Sequence, residues 1–413
     1  MLFVYRFLIN LIFILSPIIL VIRFLKKKED PMRFWEKLGF FSERKKEGKL
    51  IWFHGASVGE LQSVIPLIEE LEKNKSIKQI LVTSNTLSSS KVLESKDFKK
   101  VIHQFFPIDT NFLIKKFLNH WNPSKAFFID SEFWPNTILN LKKKKIPIIL
   151  INGRITKRTF DRWSKISYFS KNIFKNFDLC LSSSKESFKF LKKLNFKNIK
   201  FIGNLKYSQS ESDNFNQDIN LNKFLSIKNS WCASSTHDSE ELFVGHTHKI
   251  LKKKVKNLVT IIIPRHVERS FTIKKTLERL NLKVHLDEPK KKINSDTDIY
   301  LVNSYGKTKI FYNLCKNVFL GGSLIKHGGQ NPLEAARFGC NILHGPNIQN
   351  FTEIYNFLQE NKISRKITNT KKMASTLKKL LKKKSNSKKI QKELKLIGQQ
   401  ILYSTIKEIK IIQ

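Results

Sequence analysis

The chain has 413 residues and a mass of 48.4 kDa, a length that favours two or three domains over one small module. Hydrophobic residues make up 41% and aromatic residues 11%, which excludes a disordered chain and a polytopic membrane protein. The four cysteines are scattered and form no CxxC pair, which argues against a disulfide framework or structural zinc site and favours a reducing compartment.

The formal net charge of +42 would attract any polyanion. It comes from 64 lysines and only 12 arginines, whereas nucleic-acid recognition relies strongly on the bidentate arginine side chain. The lysines also lie in short runs along the whole chain rather than in one block. An anionic membrane surface is therefore the expected partner, and nucleic acid is not.

An apolar run covers residues 7–22 and is followed by Arg23 and lysines at 26–28. It is marginal for a membrane-spanning helix, which needs about 20 residues. A cleavable signal peptide is disfavoured, because Arg6 is the only early cation and no small-residue cleavage site precedes the lysines. Residues 1–28 are interpreted as an uncleaved anchor with the remainder on the cytoplasmic side. An interfacial helix that does not cross the membrane is the alternative.

From Lys49 onward, short apolar runs alternate with segments of helical periodicity. Leu50–His54 is strand-like, and apolar residues spaced three or four apart from Val58 to Leu71 predict one buried helical face. Residues 29–207 are interpreted as a Rossmann-like domain with a mainly parallel sheet. Its further predicted strands are Gln79–Thr83, Lys125–Ile129, Ile146–Ile151 and Leu179–Leu181.

Residues 208–225 are rich in Ser, Asn and Asp and are predicted to form a linker. A second Rossmann-like domain is predicted over 226–370, and lysine-rich helices over 371–413 are expected to pack back across both domains. The fold class is thus α/β with two doubly wound domains facing a cleft, and ligands are expected beyond the carboxyl ends of the strands. The predicted strands of the second domain begin at Trp231 and lie at Leu258–Ile263, Ile299–Val302, Val318–Leu320 and Asn341–Leu343.

The loop HGASVGE, from His54 to Glu60, joins a predicted strand to a helix, and its two glycines permit a tight turn. Ser57 and Glu60 have the spacing of a capping box, in which the Glu60 carboxylate would only bond back to the Ser57 amide. The same carboxylate follows the carboxyl end of a strand, where a general base would be placed. The spacing leaves both interpretations open.

Two further loops place charged groups at predicted strand ends. DSEFWPN carries Glu132 shortly before Pro135, a residue that can begin a helix, and GNLK carries Lys206. Each side chain could equally be a solvated surface charge.

The segment Gly321–Glu334, GGSLIKHGGQNPLE, joins a strand to a helix through four glycines. Asn331 as N-cap, Pro332 as the first helical residue and Glu334 at the third position predict a helix N-terminus that attracts phosphate. A purely structural capping box is the alternative. The segment is neither a Walker A loop nor a GxGxxG fingerprint, and the four glycines favour close approach of a ligand to the backbone.

Taken in order, HGASVGE, SEFWPN, NGRIT, GNLKY, STH, PRH and GGQNPLE resemble the motifs of the 3-deoxy-D-manno-octulosonic acid (Kdo) transferases of lipopolysaccharide synthesis. The resemblance implies a GT-B fold, an acceptor-binding first domain, a CMP-Kdo-binding second domain, and a lipid A precursor (lipid IVA) as acceptor at the cytoplasmic face of the inner membrane. It implies Glu60 as general base, with Glu132 and Lys206 stabilising the transition state. Donor contacts are implied for Pro264, Arg265, Tyr305, Gly306, Lys307, Asn331, Pro332, Leu333 and Glu334.

One departure from the family pattern falls in NSYGKT, residues 303–308, where Lys307 stands in place of an acidic residue. The change is harmless if backbone groups contact the donor, and it weakens donor affinity if a side chain does. Because the CMP leaving group is already anionic, amides and a cation can do the electrophilic work, so we expect no metal or cofactor. The hypothesis is an inverting transfer of Kdo. The alternatives are a GT-B enzyme for another sugar nucleotide, such as a UDP-sugar, and a basic membrane- or nucleic-acid-binding protein.

Overall fold

The computed structural model describes residues 1–26, 28–94, 96–209, 219–288, 292–383 and 386–412. The chain divides into two units, the first comprising Met1–Gln209 with Ile397–Gln413 and the second Ser210–Leu396. Each unit is built on one seven-stranded parallel sheet flanked by helices, which confirms the expected α/β class with two doubly wound halves.

The first unit has the strand order β3-β2-β1-β4-β5-β6-β7. Its strands are β1 Lys49–His54, β2 Ile77–Ser84, β3 Val101–Phe105, β4 Lys125–Ile129, β5 Ile148–Gly153, β6 Leu179–Ser182 and β7 Ile199–Phe201. Its helices are α1 Leu2–Leu25, α2 Val58–Glu72, α3 Leu87–Glu94, α4 Asn111–Trp121, α5 Pro135–Lys143, α6 Lys157–Lys165, α7 Ser167–Phe174 and α8 Lys185–Lys193, with 3-10 turns at Phe34–Leu38 and Leu205–Ser208.

Neighbouring residues of β1 enter the two apolar layers of this unit, because side chains alternate across a strand. Trp52 packs with Phe117 and other aromatic side chains on one face of the sheet. Phe53 stacks on Phe127 on the opposite face, in the layer that also contains Ile401 from the last helix of the chain. The strands are therefore buried on both faces, as a parallel sheet requires.

The second unit has the strand order β10-β11-β9-β8-β12-β13-β14. Its strands are β8 Asn229–Thr236, β9 Leu258–Pro264, β10 Val284–Leu286, β11 Ile299–Leu301, β12 Asn317–Leu320, β13 Asn341–His344 and β14 Ser364–Lys366. Its helices are α9 Ile219–Ser226, α10 Glu240–Lys252, α11 Ser270–Glu278, α12 Thr308–Leu314, α13 Leu333–Arg337, α14 Thr352–Glu360 and α15 Thr370–Lys382, with 3-10 turns at Val267–Arg269 and Gln349–Phe351. Helix α16, Ser387–Ile411, begins in this unit and ends in the first.

The linker predicted over 208–225 is corrected in part. Residues 210–218 lie outside the described residues, but α9 occupies Ile219–Ser226. Its buried side chains Leu221, Phe224 and Leu225 have helical spacing. This apolar pattern is short and is surrounded by polar residues, so it did not predict a helix.

In each sheet the connection reverses direction once, and at that point two adjacent loops leave the carboxyl ends of neighbouring strands. The point lies between β1 and β4 in the first unit and between β8 and β12 in the second. Doubly wound folds bind ligands at such positions, so the loops after these four strands are where a site is expected.

Candidate functional site

Glu60 lies in the first turn of α2, directly after the loop that follows β1. The capping box is present: the Ser57 side chain accepts from the Glu60 amide at 3.4 Å, and Glu60 Oε2 accepts from the amides of Ala56 at 2.6 Å and Ser57 at 3.3 Å. Both of these bonds go to Oε2, so within the described part of the chain Oε1 is available to a substrate proton. The structural role and a chemical role are thus compatible in one side chain.

Burial, followed by the charges of Glu132 and Asp130, raises the pKa of Glu60 to about 7. The hydrogen bonds from Ser57 and Ala56 oppose that rise but do not cancel it. A carboxylate with a pKa near neutrality is a more effective proton acceptor than an ordinary surface carboxylate.

Glu132 follows β4 and is held by two neighbours. The Trp134 indole donates to Glu132 Oε2 at 2.8 Å, and His54 Nε2 lies 3.3 Å from the same oxygen, an ion-pair contact outside hydrogen-bond alignment. Burial raises the pKa of Glu132, but the contacts with His54 and Trp134 lower this pKa by a larger amount. The net shift is therefore downward. Glu132 therefore stays ionised beside Glu60.

His54 also contacts Thr83 through its other ring nitrogen. Thr83 Oγ1 accepts from the Trp52 indole at 2.9 Å, lies 2.9 Å from His54 Nδ1 and donates to the Phe53 carbonyl at 3.4 Å. These contacts hold the imidazole ring with Nε2 facing Glu132.

Asp130 and Asn152 connect the remaining loops at this edge of the sheet. Asn152 Nδ2 donates to Asp130 Oδ1 at 2.5 Å, and Asn152 Oδ1 accepts from the Leu205 amide at 3.0 Å. Burial raises the pKa of Asp130, and the nearby charge of Lys206 opposes the rise. Glu60, Glu132 and Lys206 are thus brought to one edge of the first sheet, together with His54 and Asp130, which the sequence argument did not select.

In the second unit, the glycine-rich loop after β12 is organised by a buried carboxylate that the sequence argument also missed. Glu240, 1% exposed, accepts from the amides of Gly322 at 2.7 Å, Ser323 at 3.1 Å and Leu324 at 3.0 Å. It also accepts from the His237 amide at 2.9 Å. These amides are occupied by the protein itself and lie outside the helix N-terminus at residues 331–334 for which phosphate binding was predicted.

The four glycines each have a local reason. A Cβ on Gly321 would lie 2.4 Å from the Ser235 carbonyl oxygen, and one on Gly322 would be strained because φ is +64°. Gly328 and Gly329 also have positive φ, +98° and +77°, a conformation that favours glycine. Packing thus accounts for the glycines without a ligand.

The helix after this loop begins one residue later than predicted. Pro332 stands at the cap position of α13, and the Asn331 side chain accepts from the Leu333 amide at 3.1 Å. Glu334 lies 4.0 Å from Lys309. The capping role of Asn331 is therefore present, but the helix is only five residues long.

Three imidazoles gather at the reversal point of the second sheet. The ring of His237, after β8, lies 4.4 Å from that of His327 in the loop after β12 and 6.0 Å from that of His266 after β9. Burial, followed by His327, His266, Arg265 and Arg269, lowers the pKa of His237 to about 4. Such a set of imidazole and guanidinium groups can bind an anion.

The other predicted donor residues lie on neighbouring loops. Pro264 ends β9 and is buried, whereas the Arg265 side chain is exposed and its amide donates to the Thr236 carbonyl at 2.9 Å. Tyr305, 65% exposed, donates to Glu268 at 3.0 Å, and Gly306 has a φ of +86° with open space around it. Lys307 pairs with Asp287 at 2.6 Å.

The family model for 3-Deoxy-D-manno-octulosonic-acid transferase (kdotransferase) matches residues 32–209. A 3-deoxy-D-manno-octulosonic acid transferase of Rickettsia bellii is 34% identical over 89% of this chain and 89% of its own length. The chain belongs to this family. A relative with the same name from Haemophilus influenzae is 28% identical over 95% of the chain and 93% of its own length.

Solved structures support the fold alone. A glycosyltransferase from Rickettsia africae has a TM-score of 0.54 and is 13% identical to this chain. The match covers 89% of this chain and 99% of the glycosyltransferase. Together with the two doubly wound sheets, this likeness confirms the GT-B architecture expected for a glycosyltransferase of the family.

Proposed function

We propose that this protein transfers Kdo from CMP-Kdo to a hydroxyl group of a lipid A precursor, lipid IVA, with inversion of the anomeric centre and without a divalent metal. The observation that carries the proposal is the Glu60 carboxylate, whose pKa is raised to about 7 at the reversal point of the first sheet. A proton acceptor of that strength at that place suits the activation of an alcohol.

In the proposed step Glu60 Oε1 takes the proton of the acceptor hydroxyl while the oxygen of that hydroxyl forms a bond to the anomeric carbon of Kdo. The bond from that carbon to the CMP phosphate oxygen breaks, and the electron pair leaves with CMP. One displacement of this kind inverts the centre. The charge of Glu132 acts on the base and that of Lys206 acts on Asp130. These two charges are proposed to orient the hydroxyl and to stabilise the developing charge.

The second unit is the proposed site of the donor. Arg265 with the imidazoles of His237, His266 and His327 offers cationic and hydrogen-bonding groups for the CMP phosphate. Asn331 to Glu334 and the turn at Tyr305–Lys307 are proposed to contact the rest of CMP. Because these groups supply the electrophilic assistance, a divalent metal is not needed.

The proposed location is the cytoplasmic face of the inner membrane, beside anionic lipid. Helix α1 supports it, since it is the one helix in the described ranges long and apolar enough to cross a membrane. The lysines that follow it favour the anionic lipid of the cytoplasmic leaflet.

The decisive experiment incubates the purified full chain with CMP-Kdo and lipid IVA in EDTA and weighs the product by mass spectrometry, with NMR to assign the new anomeric centre. We expect a lipid heavier by one or more Kdo units and an inverted linkage. Transfer from a UDP-sugar instead, or a requirement for added metal, would contradict the proposal. Salt-sensitive binding to RNA with no transfer would support the basic binding protein.

A further inference from the structure

Helix α1 has two unlike faces along its length. The covered or partly covered side chains recur three or four residues apart, which is the spacing of a single stripe on a helix. Because the stripe runs from one end to the other, it is about 32 Å long. Its members are Leu2, Tyr5, Arg6, Ile9, Phe13, Ser16, Leu20 and Arg23.

Two side chains near the beginning of α1 bind polar groups of the first unit. The Tyr5 hydroxyl donates to Asp109 Oδ2 at 2.6 Å, and Arg6 Nε donates to Asn136 Oδ1 at 2.9 Å. Asp109 follows β3, and Asn136 follows β4 in the first turn of α5. The beginning of the helix is therefore fixed at the carboxyl edge of the first sheet.

The end of α1 is tied to the same edge. Arg23 donates to Glu29, whose other carboxylate oxygen accepts from Lys37 at 2.5 Å. Lys37 also donates to the carbonyl oxygen of Asn85, which follows β2, at 3.1 Å. Glu29 is buried, so this chain of contacts is not a loose surface pair.

Tyr5 and Arg23 are about 27 Å apart along the helix axis, close to the thickness of a bilayer's hydrocarbon core of about 30 Å. A spanning helix would put these two residues on opposite sides of the membrane. One folded unit cannot bind both of them there. We propose that α1 does not cross the membrane but lies in its interface, as part of a lipid-binding face of the first unit whose partner is an anionic bilayer surface.

The outward side of α1 has the chemistry that such a partner requires. The polar side chains Tyr5, Arg6, Ser16 and Arg23 lie in the covered stripe among apolar ones, and the outward side is apolar apart from Asn10. A helix on a water-soluble protein exposes its polar face instead. The exposed large apolar side chains of α1 are Phe3, Val4, Phe7, Leu8, Leu11, Ile12, Ile14, Leu15, Ile18, Ile19, Val21, Ile22, Phe24 and Leu25.

The same face continues beyond α1 and is bordered by cations. A groove of about 800 Å³ is lined by Phe3 together with Tyr168, which is 87% exposed, and Lys165. At the other end of the helix, Lys26 and Lys28 are exposed. Apolar side chains flanked by lysines match the interfacial depth and the negative charge of an anionic membrane.

The test measures depth. Single cysteines replace Phe3, Phe7, Ile14 and Ile18 in the full chain, carry a spin label, and are reconstituted with phosphatidylcholine–phosphatidylglycerol vesicles; the four native cysteines are buried and remain in place. We expect every label at a similar depth, about 5–10 Å into the headgroup region. A label at Ile14 near the bilayer centre with Phe3 back in water would overturn the proposal, as would labels in water at all positions.

Two sets of variants test the parts of the argument. Tyr5→Phe with Arg6→Gln removes the ties, and we expect the Phe3 label to change depth, whereas Tyr403→Phe, a change at an exposed tyrosine of α16, leaves it in place. An unchanged depth in the double variant would overturn the role given to the ties.

Lys26→Gln with Lys28→Gln is expected to weaken binding to the anionic vesicles roughly thirtyfold, about fivefold per lysine, with no change on pure phosphatidylcholine. Lys253→Gln with Lys256→Gln, two exposed lysines of the second unit, is the matched control. Equal losses in both pairs would contradict a local lipid face. This inference rests on the membrane location in the proposed function, but depth and partition need no CMP-Kdo, so its failure can be told from a failure of transfer.

Discussion

The two units place an acidic residue at the reversal point of their sheets, yet the two carboxylates have opposite surroundings. Glu60 follows β1 and Glu240 follows β8, and each lies in the first turn of the next helix. Glu240 is buried and accepts four backbone N–H groups, whereas Glu60 is partly exposed and accepts two.

The neighbouring loop makes the difference. In the second unit the loop after β12 turns three amides toward Glu240, while in the first the loop after β4 turns the carboxylate of Glu132 toward Glu60. Amides satisfy a carboxylate, and a second carboxylate raises its pKa. The same position therefore anchors a loop in one unit and carries a carboxylate of raised pKa in the other.

The largest expected effect comes from Glu60→Gln. We expect it to lower kcat for transfer by about 10²- to 10⁴-fold, because only the proton acceptor is lost, while CMP binding measured by calorimetry is unchanged. Glu69→Gln, an exposed residue of the same helix, is the control and should retain the normal rate. A near-normal rate in Glu60→Gln would show that another group accepts the proton.

Glu240→Gln should act on stability instead. The amide cannot accept all four N–H groups, so we expect the second unit to lose about 3 kcal/mol of unfolding free energy in urea titrations. Glu360→Gln, at the exposed end of α14, should change stability little. Unaltered stability of Glu240→Gln with abolished transfer would reverse the comparison between the two acids.

The pH profile sharpens the account of Glu60. Because the base must be ionised and its pKa is raised to about 7, kcat/KM should increase with pH through about 7. The negative charge of Glu132 contributes to the raised pKa of Glu60. Glu132→Gln should therefore lower the pKa of Glu60 and move the acidic limb of the pH–rate profile to lower pH, in addition to reducing the maximal rate. Glu69→Gln should leave the limb in place. A limb that stays or moves upward in Glu132→Gln would contradict the proposed coupling.

The smallest expected effect is at Lys307. Since its ammonium group pairs with Asp287, we expect Lys307→Met to change the dissociation constant of CMP by no more than about twofold and to cost under about 1 kcal/mol of stability. Lys326→Met, an exposed residue of the glycine-rich loop, is the control. A much weaker CMP affinity in Lys307→Met alone would assign the side chain to the donor.

The sequence predicted the central strands of both sheets and a strand end before Gly203, which is that of β7, but it missed β3, β10 and β14. These three are edge strands. They are short or only partly buried, so they lack the continuous apolar run by which a strand covered on both faces can be recognised.

The candidate site shows the same division. Glu60, Glu132 and Lys206 follow strands directly, so chain order was enough to select them. Glu240 gave no such signal, because an acid in a first helical turn is ordinary and its partners in the glycine-rich loop are 82–84 residues away. The tie of Tyr5 to Asp109 spans 104 residues and could not be read from local pattern.

Deleting α1 to obtain a water-soluble enzyme would remove the hydrogen bond from Tyr5 to Asp109 and expose apolar side chains of the groove such as Leu139 and Ile173. One exposed apolar surface would thus replace another. Replacing the outward apolar residues of α1 with glutamine and glutamate keeps the helix in place. Asp109 then retains all its partners, including the first turn of α5, three residues beyond Glu132. Such a redesigned helix offers a route to crystals of the whole chain without detergent.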